Sequence, residues 1–146
     1  MILKDNVKMK MEKKSHLLQF KTRYAETDQM GYIHHSIYAQ YYEMGRIELM
    51  HQIGISYKQM EKDGYILPVY SLFSKYFIPL TFDELITLKT FVKFIKGVRL
   101  AFGYEIYNEA GQKATEGEVV LVFADAQTGK PIRPPQVFLD KINTIL

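Results

Sequence analysis

Residues 23–46, RYAETDQMGYIHHSIYAQYYEMGR, bring several reactive side-chain types close together. A strand-like run ends in Thr27-Asp28. A short loop containing Gly31 follows, then His34-His35, then a tyrosine-rich helix start. A carboxylate can attack a carbonyl or activate water. The first turn of a helix offers unpaired N–H groups and the positive end of the helix dipole to a developing oxyanion. Asp28 lies seven residues before His35, so a compact loop can return the carboxylate to the helix start. A plainer reading stands beside this one. An Asp between a strand and a helix serves as a turn or capping residue, and a loop histidine is commonly structural or exposed. Two adjacent histidines raise the question of a metal. Adjacent side chains at a helix start are expected to diverge, and no Asp, Glu or Cys sits at ligand spacing, so no metal is expected.

The elements that must hold these residues are read from periodicity. In residues 16–25, Leu18, Phe20, Thr22 and Tyr24 alternate with Gln19, Lys21 and Arg23, the pattern of a half-buried strand. A helix is predicted over 36–53, closed by Gly54. Its apolar stripe (Tyr38, Tyr42, Gly45, Leu49 and Ile53, widened by Ile37, Tyr41 and Met44) is broad enough for a helix wrapped by other structure. A short helix is expected over 56–62, then strands over 67–76, 85–95, 99–107 and 113–124, with a hairpin turn at 108–111. Pro134-Pro135 precede a terminal helix ending near Ile145. One long apolar helix and about five antiparallel strands make an α+β domain.

Composition narrows the function. The 146 residues are 47% hydrophobic and 24% charged, an ordinary globular balance. With no cysteine there is no disulfide framework, thiolate nucleophile or zinc–thiolate site. The net charge is +3. Residues 1–15 hold five lysines against Asp5 and Glu12, which is +3, and the rest carries 14 basic and 14 acidic side chains. The basicity is therefore local, and the fold carries no general sign of nucleic-acid binding. Residues 1–15 are expected to form a flexible basic leader ahead of a single domain over 16–146. No apolar run reaches the length of a membrane span, and no secretory signal is read. A cytoplasmic location is the default expectation.

The opening motif resembles the start of the hotdog-fold acyl-CoA thioesterases of the 4-hydroxybenzoyl-CoA thioesterase family, most of all the YbgC-like branch. The residues that carry the resemblance are Thr27-Asp28, Gly31, His34-His35, and Tyr41-Tyr42-Glu43 with Arg46. Weaker matches lie in LPVYSLFSKYFIPLTFDE (67–84), RLAFGYEIYN (99–108) and GKPIRPP (129–135). The relatives usually carry an aromatic where this chain has His34. The resemblance implies a hotdog fold and thioester hydrolysis without a cofactor or metal. It makes Asp28 the catalytic carboxylate, and the N–H at or beside His35 the group that polarises the thioester carbonyl. The His35 side chain is a second candidate for contact with water or the thioester. Gly31 and Tyr38 are expected at the substrate. Arg99 and Arg133 are expected on the coenzyme A phosphates, with Lys89, Lys93, Lys96 and Lys130 as weaker candidates. Glu43 and Arg46 are read as a structural pair.

The resemblance also implies a homodimer joined sheet edge to sheet edge, or a homotetramer built from it, with active sites at the subunit interface. Acyl-CoA or an acyl carrier protein is the expected carrier. The alternatives are a non-catalytic acyl-CoA-binding protein or sensor on the same fold, a hotdog dehydratase, and an interaction protein acting through its basic leader.

Overall fold

The strand-like alternation resolves into one curved sheet folded around the long helix. The structure, a computed structural model, describes residues 7–146. In chain order the elements are β1 (Lys8–Glu12), β2 (Ser15–Lys21), α1 (His35–Gln52), α2 (Tyr57–Lys62), β3 (Tyr65–Ile66), β4 (Val69–Tyr76), β5 (Leu85–Lys96), β6 (Arg99–Tyr107), β7 (Lys113–Val122), β8 (Ala124–Asp125) and α3 (Gln136–Asn143). Six strands form the main sheet in the order β1-β2-β5-β6-β7-β4, every neighbour antiparallel. The short β3 and β8 pair separately.

Period-2 patterning decides which face meets α1. Ile86, Leu88, Thr90 and Val92 of β5 are buried beneath it. Leu100, Phe102, Tyr104 and Ile106 of β6 continue that surface. A bulge between Val92 and Phe94 breaks the alternation, and Phe94 turns outward. The helix contributes Tyr38, Tyr41, Tyr42, Leu49 and Met50 to the same core. Gly45 lets the backbone of α1 approach β5 closely. A Cβ there would collide with Thr90 Oγ1 and stand 2.9 Å from Leu88 Cδ2. Gly45→Ala is expected to destabilise the fold by about 1–3 kcal/mol, read from its urea unfolding midpoint.

Three expectations need correction. Residues 8–12 are not part of a flexible leader but form β1, in register with β2 from Lys8↔Gln19 to Glu12↔Ser15. Val7 and Met11 pack on the core. The alternation Lys-Met-Lys-Met-Glu was present, but its charge favoured a solvated reading. The main sheet therefore has six strands rather than about five. Residues 1–6 of the expected leader lie outside the described residues. Tyr24 does not continue β2: Tyr24–Glu26 form a 3-10 turn, and the Tyr24 ring is 77% exposed.

His16, on β2, is fully buried, and neither ring nitrogen has a hydrogen-bond partner among the described residues. Burial lowers its pKa below the usual 6.5, with the Glu48 charge opposing. A depressed imidazole favours the folded state above its unfolded value, and that advantage is lost as pH falls from about 6.5 through the folded value. Urea unfolding between pH 7.5 and 5.5 should show this loss in the wild type and a flatter response in His16→Leu.

Candidate active site

The chain from Glu26 to His34 closes on itself as a small zipped loop. The Glu26 carbonyl accepts the His34 N–H at 2.8 Å, Thr27 bridges Ile33, and the Asp28 N–H reaches the Tyr32 carbonyl at 2.7 Å. At the tip, the Gly31 N–H donates to the Asp28 carbonyl at 3.0 Å. Gly31 has φ +82°, a left-handed conformation that a side chain would strain. The Asp28 carboxylate serves the same turn, since Oδ1 accepts the N–H of Met30 at 2.9 Å and of Tyr32 at 3.1 Å. The turn reading of Asp28 is thus met by Oδ1. Oδ1 is tied to the loop, whereas Oδ2 has no hydrogen-bond donor among the described residues.

The loop delivers the chain to the start of α1. His34 is the N-cap, and its Nδ1 accepts the Ser36 N–H at 3.2 Å. His35 is the first helical residue, where the N–H has no acceptor within the helix. The two imidazoles do not diverge as expected. Their ring centres lie 4.2 Å apart at 33°, so His34 packs as a flat ring against His35. Among the described residues no three His, Cys, Asp or Glu side chains cluster as a metal-ligand set.

Asp28, His35 and Tyr38 line one cavity of about 260 Å³ together with Tyr32, Tyr76 and Phe77. Tyr38 is both core and wall: it is buried, lies edge-on to Tyr76 at 4.8 Å, and burial pushes its hydroxyl up to about 12. Sequence reasoning missed Tyr32, Tyr76 and Phe77. The available signal was the run LPVYSLFSKYFIPL, whose large side chains fall on both faces of what became an edge strand. A hollow of about 380 Å³ opens elsewhere, beside Lys8, Leu17 and Thr87, and holds none of the candidate catalytic groups.

The structure does not bring every expected residue to this cavity. The Arg99 guanidinium lies over the Tyr70 ring at 4.5 Å, and Arg133 is exposed after β8. Tyr76 stands opposite Thr115 at one end of β4, and Val69 stands opposite Leu121 at the other, where Arg99 faces Val122. The six steps from Tyr70 to Tyr76 span ~20 Å, so one chain holds Arg99 far from the Tyr76 end of its own cavity. Lys93 is engaged by Glu118 at 2.6 Å. Glu43 and Arg46 approach to 3.7 Å, with Arg46 buried rather than on the surface.

A long helix cradled by a curved antiparallel sheet of six strands is the hotdog fold of thioesterases. The chain belongs to the thioesterase-like superfamily, whose family model matches residues 22–142. It is similar to the putative acyl-CoA thioesterase YneP of Bacillus subtilis, 34% identical over 122 residues, which cover 84% of this chain and 88% of that protein. The acyl-CoA thioester hydrolase YbgC of Escherichia coli is 26% identical over 77% of this chain and 84% of its own length. Among solved structures, a DHNA-CoA thioesterase from Staphylococcus aureus superposes with a TM-score of 0.84 at 37% identity, covering 89% of this chain and 87% of that one.

Proposed function

We propose that this protein is an acyl-CoA thioesterase in which Asp28 and the first turn of α1 act on the thioester carbonyl. The observation that carries the reading is the shared cavity: the Asp28 carboxylate, the His35 helix start and an aromatic wall line the same space. Asp28 Oδ2 either attacks the carbonyl carbon or takes a proton from the attacking water. The His35 N–H stabilises the oxyanion, and the His35 imidazole bonds the water or the thioester. In the net reaction the water oxygen joins the carbonyl carbon and the C–S bond breaks. The coenzyme thiolate takes up a proton, leaving a carboxylic acid and a free thiol. Gly31 serves the site by holding the loop tip in its left-handed turn, and does not itself line the cavity.

Four aromatic side chains, those of Tyr32, Tyr38, Tyr76 and Phe77, wall the cavity and favour a flat, aromatic acyl group. Thiol release should be measured on a panel of short, long and aromatic acyl-CoAs, with DHNA-CoA, the substrate named for the Staphylococcus aureus neighbour, among them. Turnover of at least one member supports the reading. Binding of every member without thiol release would favour a non-catalytic acyl-CoA binder instead.

The working unit is a homodimer formed through β4. Among the described residues this strand is an unpaired sheet edge, on which Val69, Tyr70, Leu72, Phe73 and Tyr76 are exposed. A bare apolar edge invites strand addition. A two-fold axis near Phe73 pairs the strand with its own copy antiparallel. The partner's Arg99 end then lies beside this chain's Tyr76 end, so that each cavity takes its carboxylate from one protomer and its phosphate-binding arginines from the other. The chain has no cysteine, which suits a reducing, cytoplasmic setting without requiring one.

A further inference from the structure

Glu26 is a buried carboxylate that the proposed chemistry does not use. It is 6% exposed and lies two residues before Asp28. Its Oε1 accepts the Arg23 N–H at 2.7 Å and the Tyr41 hydroxyl at 2.7 Å. Its Oε2 faces the Arg23 guanidinium, with Nε at 3.2 Å and Nη2 at 3.1 Å. Tyr41 is buried inside α1, edge-on to Phe20 at 5.0 Å. Its ring therefore has little freedom, and the hydroxyl position is fixed by the core.

Glu26 is thus held twice. Its side chain is bonded to the body of α1, and its main-chain carbonyl accepts the N–H of His34, the cap of the same helix. The rungs from Thr27 to Ile33 and from Asp28 to Tyr32 extend outward from that doubly held residue. Burying an ionised group is unfavourable unless its partners are well placed, and an apolar side chain would fill the same space more simply. The arrangement makes sense if what it secures is geometry. Neither Glu26 nor Tyr41 lines the cavity, so neither can touch the thioester.

We infer that Glu26 and Tyr41 are a positioning pair that sets the Asp28 carboxylate against the His35 N–H, an inference that rests on the roles proposed above for those two residues. The pair governs turnover rather than substrate binding. Because a misplacement of about 1 Å can lower a rate ~100-fold, Glu26→Ala should reduce kcat by about that factor and leave KM within ~2-fold. Tyr41→Phe, which removes one hydroxyl and keeps the ring, should reduce kcat ~10-fold. Glu26→Gln keeps an acceptor oxygen and should recover part of the loss. The Glu26→Ala/Tyr41→Phe double variant should be no slower than Glu26→Ala alone, since both remove one link.

A second readout does not depend on activity. The Met30 and Tyr32 amides, which donate to Asp28, should exchange their hydrogens ~10-fold faster in Tyr41→Phe, while β5 and β6 amides keep wild-type protection. Unchanged kcat in a folded Glu26→Ala protein overturns the inference. So does a loss of kcat that only follows the fraction of folded protein. Should Asp28→Asn prove as active as the wild type, the proposed role of Asp28 fails, and with it the catalytic part of the inference. Loop exchange in Tyr41→Phe still judges the anchoring itself.

Discussion

Asp28→Asn is expected to lower thiol release by about 10²–10⁴-fold, the range associated with losing a positioned acid–base group. The substitution is well matched to the structure. An asparagine side-chain oxygen can still accept the N–H groups of Met30 and Tyr32, which hold Oδ1 in the wild type. The loop then keeps its shape, and the amide nitrogen replaces Oδ2, the oxygen left for chemistry. KM should change little, since Tyr38, Tyr76 and Phe77 still wall the cavity. Thermal unfolding and oligomeric mass should match the wild type. If the variant hydrolyses the same thioesters at the same rate, Asp28 is only a turn residue and the acid must be sought elsewhere.

The second large effect is expected at β4. Phe73 is 60% exposed near the middle of that strand. Phe73→Asp places a charge at the centre of the proposed interface. Removing a central aromatic anchor there should weaken association by roughly 2–4 kcal/mol, or about 30–1,000-fold in Kd. Light scattering should then report a monomer at concentrations where the wild type is a dimer, and activity should fall with the dimer. Mixing gives a sharper test. Asp28→Asn homodimers lack the carboxylate in both sites, and Arg99→Ala homodimers lack the proposed phosphate contact in both. A mixed dimer holds one site with both defects and one with neither. Recovery of activity on mixing is expected if each cavity draws on two protomers. No recovery, with mixed dimers verified by mass, would assign both residues to one chain's own site and refute the shared cavity.

How much of this was legible in the sequence depended on chain distance. The helix expected over 36–53 is observed as His35–Gln52, because its stripe and Gly54 are local signals. Asp28, His35 and Tyr38 fall within eleven residues, and a single zipped loop is enough to bring them together. Tyr76 and Phe77 reach the same cavity only because β4 pairs with β7 and the chain crosses back over α1. That pairing is written in side chains some forty residues away from the motif. Glu26 was hidden differently: an acid beside Thr-Asp reads as one more polar loop residue until Tyr41 is seen to bond it from within the helix. Arg99 lies over the Tyr70 ring, at the end of β4 away from Tyr76, a placement fixed by strand pairing that its local sequence does not reveal.

The strand found where a leader was expected also changes what the sheet can become. The two outer edges of the sheet are chemically unlike. β4 presents Tyr70, Leu72 and Phe73, whereas β1 carries Lys8, Lys10 and Glu12. A sheet with two sticky rims could grow copy upon copy into a ribbon. Lysines along a rim repel an incoming strand, so growth through β1 is disfavoured, while in the proposed dimer β4 meets an identical copy rotated by the two-fold axis and is used up by it. With β4 paired as proposed, association in the plane of the sheet stops at two copies. By this reasoning β1 is the terminus of the assembly. Replacing Lys8 and Lys10 with valine should reveal it by opening a path from a closed pair to an endless fibre.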